Sequence, residues 1–462
     1  MSKSNYVYMS FVFISCFFIN TNAQDFVQIN KEQNGKQATI ATSQVLEVQL
    51  PATPSTGYGW YLRNANNEIV RQNDVVEQVG DWEFISDNPI HTIGSSGKQI
   101  IRFIGKAEGA TELNFVYIQP WSNEVALDKY TVSVTSEGAY TGNYKAPVEE
   151  VKVEETKLSK SNVLPTKFSW KDESKLTSVK NQGSCGSCWA FAACGQFESC
   201  IKRFDNVTRD LSEQWLVNCD KDFEGCGGGM HPGDMFVKYG AVYEADAAYK
   251  GKDGTCAATY TYHEKILSYK EIATEPTTDQ IKDAIYKYGP VWAGVVAGSN
   301  FSNYSSGVMT KSDAGELDHA ILLVGWDDAT SSWVLRNSWG SSWGEAGYMR
   351  IKYGSCKVGA QGTYMVYKDA TTGIDQTQLF NNIATLYPNP IMEDELTIQL
   401  NSLLDNNTKL NISIFDVQGR NIYTQEAKPN TQAVINTQTF AKGVYVVTIS
   451  SETQSVNYKI VK

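Results

Sequence analysis

Cys188 lies in the stretch QGSCGSCWAF, residues 182–191, where a glycine- and serine-rich turn runs straight into an apolar helical pattern. A thiol in the first turn of a helix faces unpaired backbone N–H groups and the positive end of the helix dipole. Both favour the thiolate, which is the nucleophilic form. A thiolate also needs a proton partner. The chain has four histidines. His91 falls beside a glycine-rich loop. His263, among Tyr260, Tyr262 and Glu264, reads as a surface strand residue, and His231 follows a glycine run at a prospective cleft. His319 stands 131 residues after Cys188, just before the apolar run Ile321–Val324, which reads as a buried strand able to hold an imidazole firmly. Asn337 follows 18 residues later, at the end of Trp333–Arg336. Antiparallel pairing of those two strands brings Asn337 to His319, where its amide oxygen can accept the second ring N–H. Gln182, six residues before Cys188, can donate a side-chain N–H to an oxyanion together with the Cys188 backbone N–H. The set spells nucleophilic acyl transfer.

The positioning elements follow from periodicity. Ala190, Cys194, Phe197, Ile201 and Phe204 step by four, three, four and three, one buried face of a helix, with Cys194 in the core. Trp339, in NSWG (337–340), can shield the His319–Asn337 hydrogen bond from water, whereas Trp343-Gly344 reads as a Trp-Gly pair without such a role. Taken singly, each residue has a plainer reading: His319 as a structural histidine, NSWG as a turn.

Residues 163–368 resemble the papain-like cysteine peptidases. The resemblance rests on Leu164-Pro165, Trp170, VKNQG (179–183), LSEQ (211–214), NCD (218–220), GCGGG (225–229), YKGKDGTC (249–256), LDHA (317–320) and NSWG (337–340). It implies an α+β fold with a helical lobe and a β-barrel lobe. It also implies Cys188 as nucleophile, His319 as base and then acid, Asn337 as orienter and Gln182 as oxyanion donor. It pairs Cys185 with Cys226 and Cys219 with Cys256, and leaves Cys194, Cys200 and Cys356, the last expected to be unpaired. Gly228 and Gly229 correspond to the edge that binds an extended peptide. Met230, Gly294, Ala320 and Gln361 surround the pocket for the residue second from the scissile bond, and Trp339 completes the substrate-binding set. That pocket is expected to take an apolar or aromatic side chain. No long insertion between Gly229 and Cys256 occludes the cleft, which favours an endopeptidase, and the family's helical pro-segment is absent. The chemistry calls for no metal and no cofactor.

Ahead of this segment, residues 24–136 alternate apolar and polar: Ile101 and Phe103; Leu113, Phe115 and Tyr117; Tyr130, Val132 and Val134. Glycine-rich turns separate the runs, as in an antiparallel β-sandwich. Three loops stand out: TPSTGYGW (53–60), GSSG (94–97) and QPW (119–121). In order and spacing they resemble the loops of the chagasin family of cysteine-protease inhibitors, departing at Thr53 and Gln119. The resemblance implies an intramolecular inhibitory domain acting through Pro54, Ser55, Thr56, Gly57, Gly94, Ser95, Ser96, Gly97, Pro120 and Trp121. Small loop tips can enter a narrow cleft, and Trp60 and Trp121 are expected to add aromatic contact.

The ends and the joint complete the organisation. Lys3, the apolar run Tyr6–Ile19 and Ala23 read as a signal peptide, 1–23, too short to span a bilayer. No later stretch is apolar enough for a transmembrane helix. Residues 137–162 read as a charged linker and processing region, with Lys157 and Lys160 as cut sites. Residues 376–462 alternate again, at Leu396, Ile398 and Leu400; Leu410, Ile412 and Ile414; Tyr445, Val447 and Ile449; Val456, Tyr458 and Ile460, a second cysteine-free all-β sandwich. YPNP (387–390), Phe415-Asp416, Gly419-Arg420, GVY (443–445) and KIVK (459–462) resemble the sorting domain of the type IX secretion system, whose machinery is then a partner. The implied location is bacterial, secreted or cell-surface. A net charge of −11 without a basic block argues against nucleic acid. The reading is a secreted cysteine endopeptidase zymogen acting on protein or peptide substrates. The alternative is a catalytically idle surface adhesin, which would need none of Gln182, Cys188, His319 and Asn337.

Overall fold

The computed structural model describes residues 25–88, 92–123, 125–146, 164–368, 383–391, 394–400, 408–451 and 455–462. The signal peptide, His91, Lys157 and Lys160 lie outside them. Three buried cores emerge, one in each region that the sequence separates.

The central region is built around the strand His319–Asp327, buried along nearly its whole length. It pairs antiparallel with Val291–Val295 on one side and Ser332–Arg336 on the other. Register sets His319 opposite Val295 and Leu322 opposite Arg336, so Asn337 emerges where the two strands end together. Eight strands make this sheet. The helix Cys188–Asp205 packs against it and also touches the short helix Glu213–Cys219, whose N-cap Ser212 accepts from the Trp215 N–H. Spacing predicted one buried face, yet the long helix is buried on all sides from Cys188 to Ile201. It lies between the sheet and the smaller elements, so no face remains for solvent. The bonds Cys185–Cys226 and Cys219–Cys256 are present, and Cys188, Cys194, Cys200 and Cys356 are free and buried.

The N-terminal region forms two sheets. One holds Phe26–Asn30, Val45–Ala52, Gly97–Gly105, Val76–Gln78 and Glu83–Ser86, and the other Gln37–Ile40, Asp128–Glu137, Glu108–Ile118 and Gly59–Arg63. The expectation of antiparallel pairing throughout needs correction. Phe26–Asn30 runs parallel to Val45–Ala52, and Gln37–Ile40 parallel to Asp128–Glu137. The first strand and the second join different sheets across the turn Lys31–Gln33, so neither can close a hairpin with its sequence neighbour. The C-terminal region is antiparallel in both of its sheets, three-stranded and four-stranded, around one aliphatic core. Among the described residues no helix is long and apolar enough to cross a membrane.

Beneath the long helix Lys180 Nζ meets Glu198 at 2.9 Å, Asp210 at 2.7 Å and Glu213 at 2.8 Å. Glu198 and Glu213 are almost wholly buried, and burial pushes the Glu213 carboxyl up to about 8. Removing this cation leaves buried carboxyls without their ion-pair partner. Lys180→Met is therefore expected to cost about 3–5 kcal/mol, read as a lower urea midpoint at pH 7.

Candidate active site

Cys188 is the first residue of its helix and is wholly buried. His319 Nε2 lies 2.7 Å from Asn337 Oδ1, which also accepts the Ser338 backbone N–H at 2.7 Å. An oxygen that accepts one N–H is the acceptor for the other as well, so Nε2 carries the proton and Nδ1 holds a lone pair. Nδ1 is buried and has no hydrogen-bond partner. Trp339 stacks on the imidazole at 4.8 Å and Phe301 meets it edge-on at 6.0 Å, closing the hydrogen bond from water. Gln182 is held at both ends of its amide: Oε1 accepts from Ser338 Oγ at 2.7 Å, and Nε2 donates to the Cys185 carbonyl at 2.9 Å. One Nε2 hydrogen stays uncommitted by these bonds. Tyr249, not singled out by sequence reasoning, braces the same turn by donating to the Gln182 carbonyl at 2.7 Å and meeting Ser187 Oγ at 2.7 Å. The other histidines are elsewhere. His231 is half-buried against Gln196, and His263, in a loop and not on a strand, stacks on Tyr243.

The N-terminal domain lies directly over this group. Pro54, Ser55 and Thr56 form a buried single turn. The Ser55 carbonyl accepts from Trp339 Nε1 at 2.8 Å, and its hydroxyl lies close enough to Cys188 to favour the thiolate, yet makes no well-directed hydrogen bond. Gly57 has φ +76°, and a Cβ there would lie 2.4 Å from the Trp121 ring and 3.0 Å from Trp339. Only glycine fits. Trp121 stacks on Trp339 at 5.1 Å and leans on Trp343 at 6.3 Å. Trp343, which the sequence gives no role, is thus fully buried in the same aromatic cluster, 5.2 Å from Trp339. The Gly94 N–H donates to the Asp318 carbonyl at 2.8 Å, and the Ile93 carbonyl accepts from the Gly229 N–H at 2.8 Å. Farther out, Asn300 Nδ2 donates to Asp81 at 3.0 Å.

Some loop expectations need correction. Trp60 is not a contact residue. It faces the core of its own domain and donates to the Pro51 carbonyl at 2.8 Å. Gly97 begins a strand, where a Cβ would strike the Ile85 carbonyl, and Ser96 faces solvent, so neither meets the peptidase side. Ser95 holds Ser86 Oγ at 2.8 Å, although its backbone N–H lies beside Gly228. Pro120 is half-buried. Gln119, where the loop departs from the inhibitor pattern, donates to the Thr56 carbonyl at 2.8 Å and so ties two loops together inside the domain. Ile93, just outside the glycine loop, carries no sequence signal of its own. On the other side Ala320 is buried, Met230 packs at the core margin, and Gly294 lies beside Leu317, Gln361 and Ile93.

Residues 164–366 match the papain family cysteine protease profile. The central segment belongs to the papain family. Residues 39–135 match the chagasin family peptidase inhibitor profile, and 385–462 the secretion system C-terminal sorting domain. The papain-family domain is 36% identical over 219 residues to the senescence-specific cysteine protease SAG12 of Arabidopsis thaliana, covering 44% of this chain and 63% of that protein. It is 36% identical to the viral cathepsin of Heliothis zea nuclear polyhedrosis virus, over 41% of this chain and 53% of the other. The chain thus spans between half and two thirds of these relatives' length. A solved bromelain protease of Ananas comosus, in complex with the E64 inhibitor, is 32% identical over 44% of this chain and all of that one, with a TM-score of 0.42.

Burial sets the protonation of the papain-family pair. It pushes the Cys188 thiol up to about 12 and the His319 imidazole down to about 4. Both shifts favour the neutral forms, Cys–SH and an uncharged imidazole, at neutral pH. Each pKa unit costs roughly tenfold in thiolate fraction. Iodoacetamide labelling of Cys188 in the uncut chain is therefore expected to stay slow from pH 6 to 9 and to rise only above that range. Removing the N-terminal domain should move the onset downward. The same onset with and without that domain would contradict the burial argument.

Proposed function

We propose that the chain is a secreted papain-family cysteine endopeptidase made in a closed form, in which its own chagasin-like domain covers the cleft. The observation that carries this reading is the Ser55 turn seated on Trp339 above a buried Cys188, with His319 held by Asn337 at 2.7 Å. In the open enzyme, Cys188 Sγ attacks the peptide carbonyl and its proton passes to His319 Nδ1. The oxyanion takes hydrogen bonds from the uncommitted Gln182 Nε2 hydrogen and the Cys188 backbone N–H. His319 then gives the proton to the leaving amine, and a thioester remains. Water attacks the thioester, His319 takes and returns a proton, and the acid product leaves Cys188 as it began. Asn337 holds Nε2–H throughout, so Nδ1 always faces the work. Gly228 and Gly229 supply the peptide edge. Trp339, freed of Trp121 when the domain leaves, becomes a wall for the residues after the scissile bond.

The C-terminal sorting domain supports export, to the exterior or to the cell surface. The idle-adhesin alternative has no use for an aligned Gln182, Ser338, Asn337 and His319 under a sealing domain.

Peptidase activity should appear when the linker 137–162 is cut and the N-terminal domain removed, and Cys188→Ala should abolish it. Equal activity before and after cutting would sink the closed-form reading. Gln182→Ala should lower kcat by roughly 10²–10³ with little change in KM, as expected for a donor that acts on the oxyanion. Trp121→Ala, which removes the stack on Trp339, should raise Cys188 labelling in the uncut chain at least about tenfold, since an aromatic anchor at an interface is worth on the order of 2 kcal/mol.

A further inference from the structure

The two groups that face an oxyanion in the proposed mechanism are the Gln182 side chain and the Cys188 backbone N–H. They stand at opposite ends of one turn, residues 182–188. Their separation decides whether one oxygen can reach both. Gln182 is fixed to Ser338, which accepts its backbone N–H at 2.9 Å and donates to its Oε1 at 2.7 Å. Those bonds hold one end of the turn. They do not set where the other end lies.

Tyr249 joins the two ends. Its hydroxyl donates to the Gln182 carbonyl at 2.7 Å and lies 2.7 Å from Ser187 Oγ. A phenol has one hydrogen. With that hydrogen on the carbonyl, Ser187 is the donor in the second bond. The Cys185 carbonyl, another acceptor near Ser187 Oγ, is farther away at 3.5 Å. The result is a chain from Ser187 Oγ–H to Tyr249 Oη–H to the Gln182 carbonyl, in which each bond polarises the next. It spans the turn from the residue carrying one donor to the residue just before the other. Gln182 and Ser187 are wholly buried, so a partner lost there leaves a polar group without bulk water to replace it.

A second observation agrees. Ser187 is the N-cap of the helix Cys188–Asp205, where a serine hydroxyl ordinarily accepts an N–H of the first turn. It makes no capping bond here, because its hydroxyl is turned to Tyr249. Tyr249 is itself held in place. Its backbone N–H donates to Glu244 at 2.7 Å, and its ring meets Phe191, on the Cys188 helix, edge-on at 4.8 Å.

We propose that Tyr249 is a positioning residue for the oxyanion site. Its hydroxyl holds the Gln182 side chain and the Cys188 N–H at the spacing that one oxyanion oxygen can bridge. The proposal rests on the peptidase reading above, and adds to it a residue that acts through Gln182 and Ser187.

The test uses the full chain after linker cleavage and removal of the N-terminal domain. Cys188 is counted by a thiol-directed epoxide, so that kcat is expressed per folded, reactive site. Tyr249→Phe keeps the ring against Phe191 and removes the hydroxyl. It should lower kcat about tenfold or more and leave KM within about twofold, as expected when an oxyanion donor is displaced and substrate binding is untouched. In a Gln182→Ala background the same change should cost at most about twofold, since the donor that Tyr249 positions is gone. A merely structural role would give equal losses in both backgrounds, and that result overturns the proposal. So does parent kcat in Tyr249→Phe. Should Tyr249→Phe leave no Cys188 to count, Ser187→Ala cuts the chain at its other end and carries the same comparison, with the same two outcomes. None of these results touches the peptidase reading. Counted Cys188 with no peptide cut by the parent protein overturns that reading, and the proposal with it.

Discussion

Everything at this site depends on the pairing of His319–Asp327 with Ser332–Arg336. That ladder fixes where two strands end, and it brings together residues 18 apart in sequence without asking any loop to find its own path. Backbone hydrogen bonds within a buried sheet are short, mutually supporting and dry. His319 and Asn337 inherit that rigidity. Cys188 inherits it as well, because its helix lies on the same strand. Gln182 is tied to the assembly through Ser338 by both side chain and backbone. Cys188, His319, Asn337 and Gln182 are therefore four outgrowths of one packed unit.

The chagasin-like domain meets this unit at several separate places. The Ser55 turn and Trp121 lie on the Trp339 side, and Ile93-Gly94 lies on the Gly229 and Asp318 side. Between them Cys188 and His319 lose contact with water, and their charges become expensive. On the closed-form reading proposed above, the domain that covers the cleft also disfavours the thiolate. On that reading occlusion and chemical silencing would be one event, since both come from desolvation.

Much of this was legible because chemistry and periodicity leave strong marks. The Cys188 turn, the buried strand after His319 and the position of Asn337 each carried a local signal, and the three-core division follows alternation and cysteine confinement. What was not legible depended on the partner surface. Trp60 and Trp121 look alike beside their loops, and only strand direction puts one in the core and the other on Trp339. Both Trp60 and Tyr61 on Gly59–Arg63 are buried, because the peptidase domain covers the face that a free sandwich would expose, so alternation misleads there. Ile93 has no motif. Its place is set by Gly229 and Gly294, which lie more than a hundred residues away. The all-round burial of the Cys188 helix likewise follows from neighbours that no helical period can encode.

The bond from Gln119 to the Thr56 carbonyl has a further consequence for how the closed form comes apart. It splints two loops to each other within their own domain, and Gly57 is already bent to its bound shape. The cost of ordering the loops is met when the sandwich folds, not when it docks. On the closed-form reading such a surface would leave as a rigid body, letting go of both cleft walls nearly together. Residence time on the cleft then becomes a property of the whole face, and the inhibitor that departs keeps the shape of the lock it left.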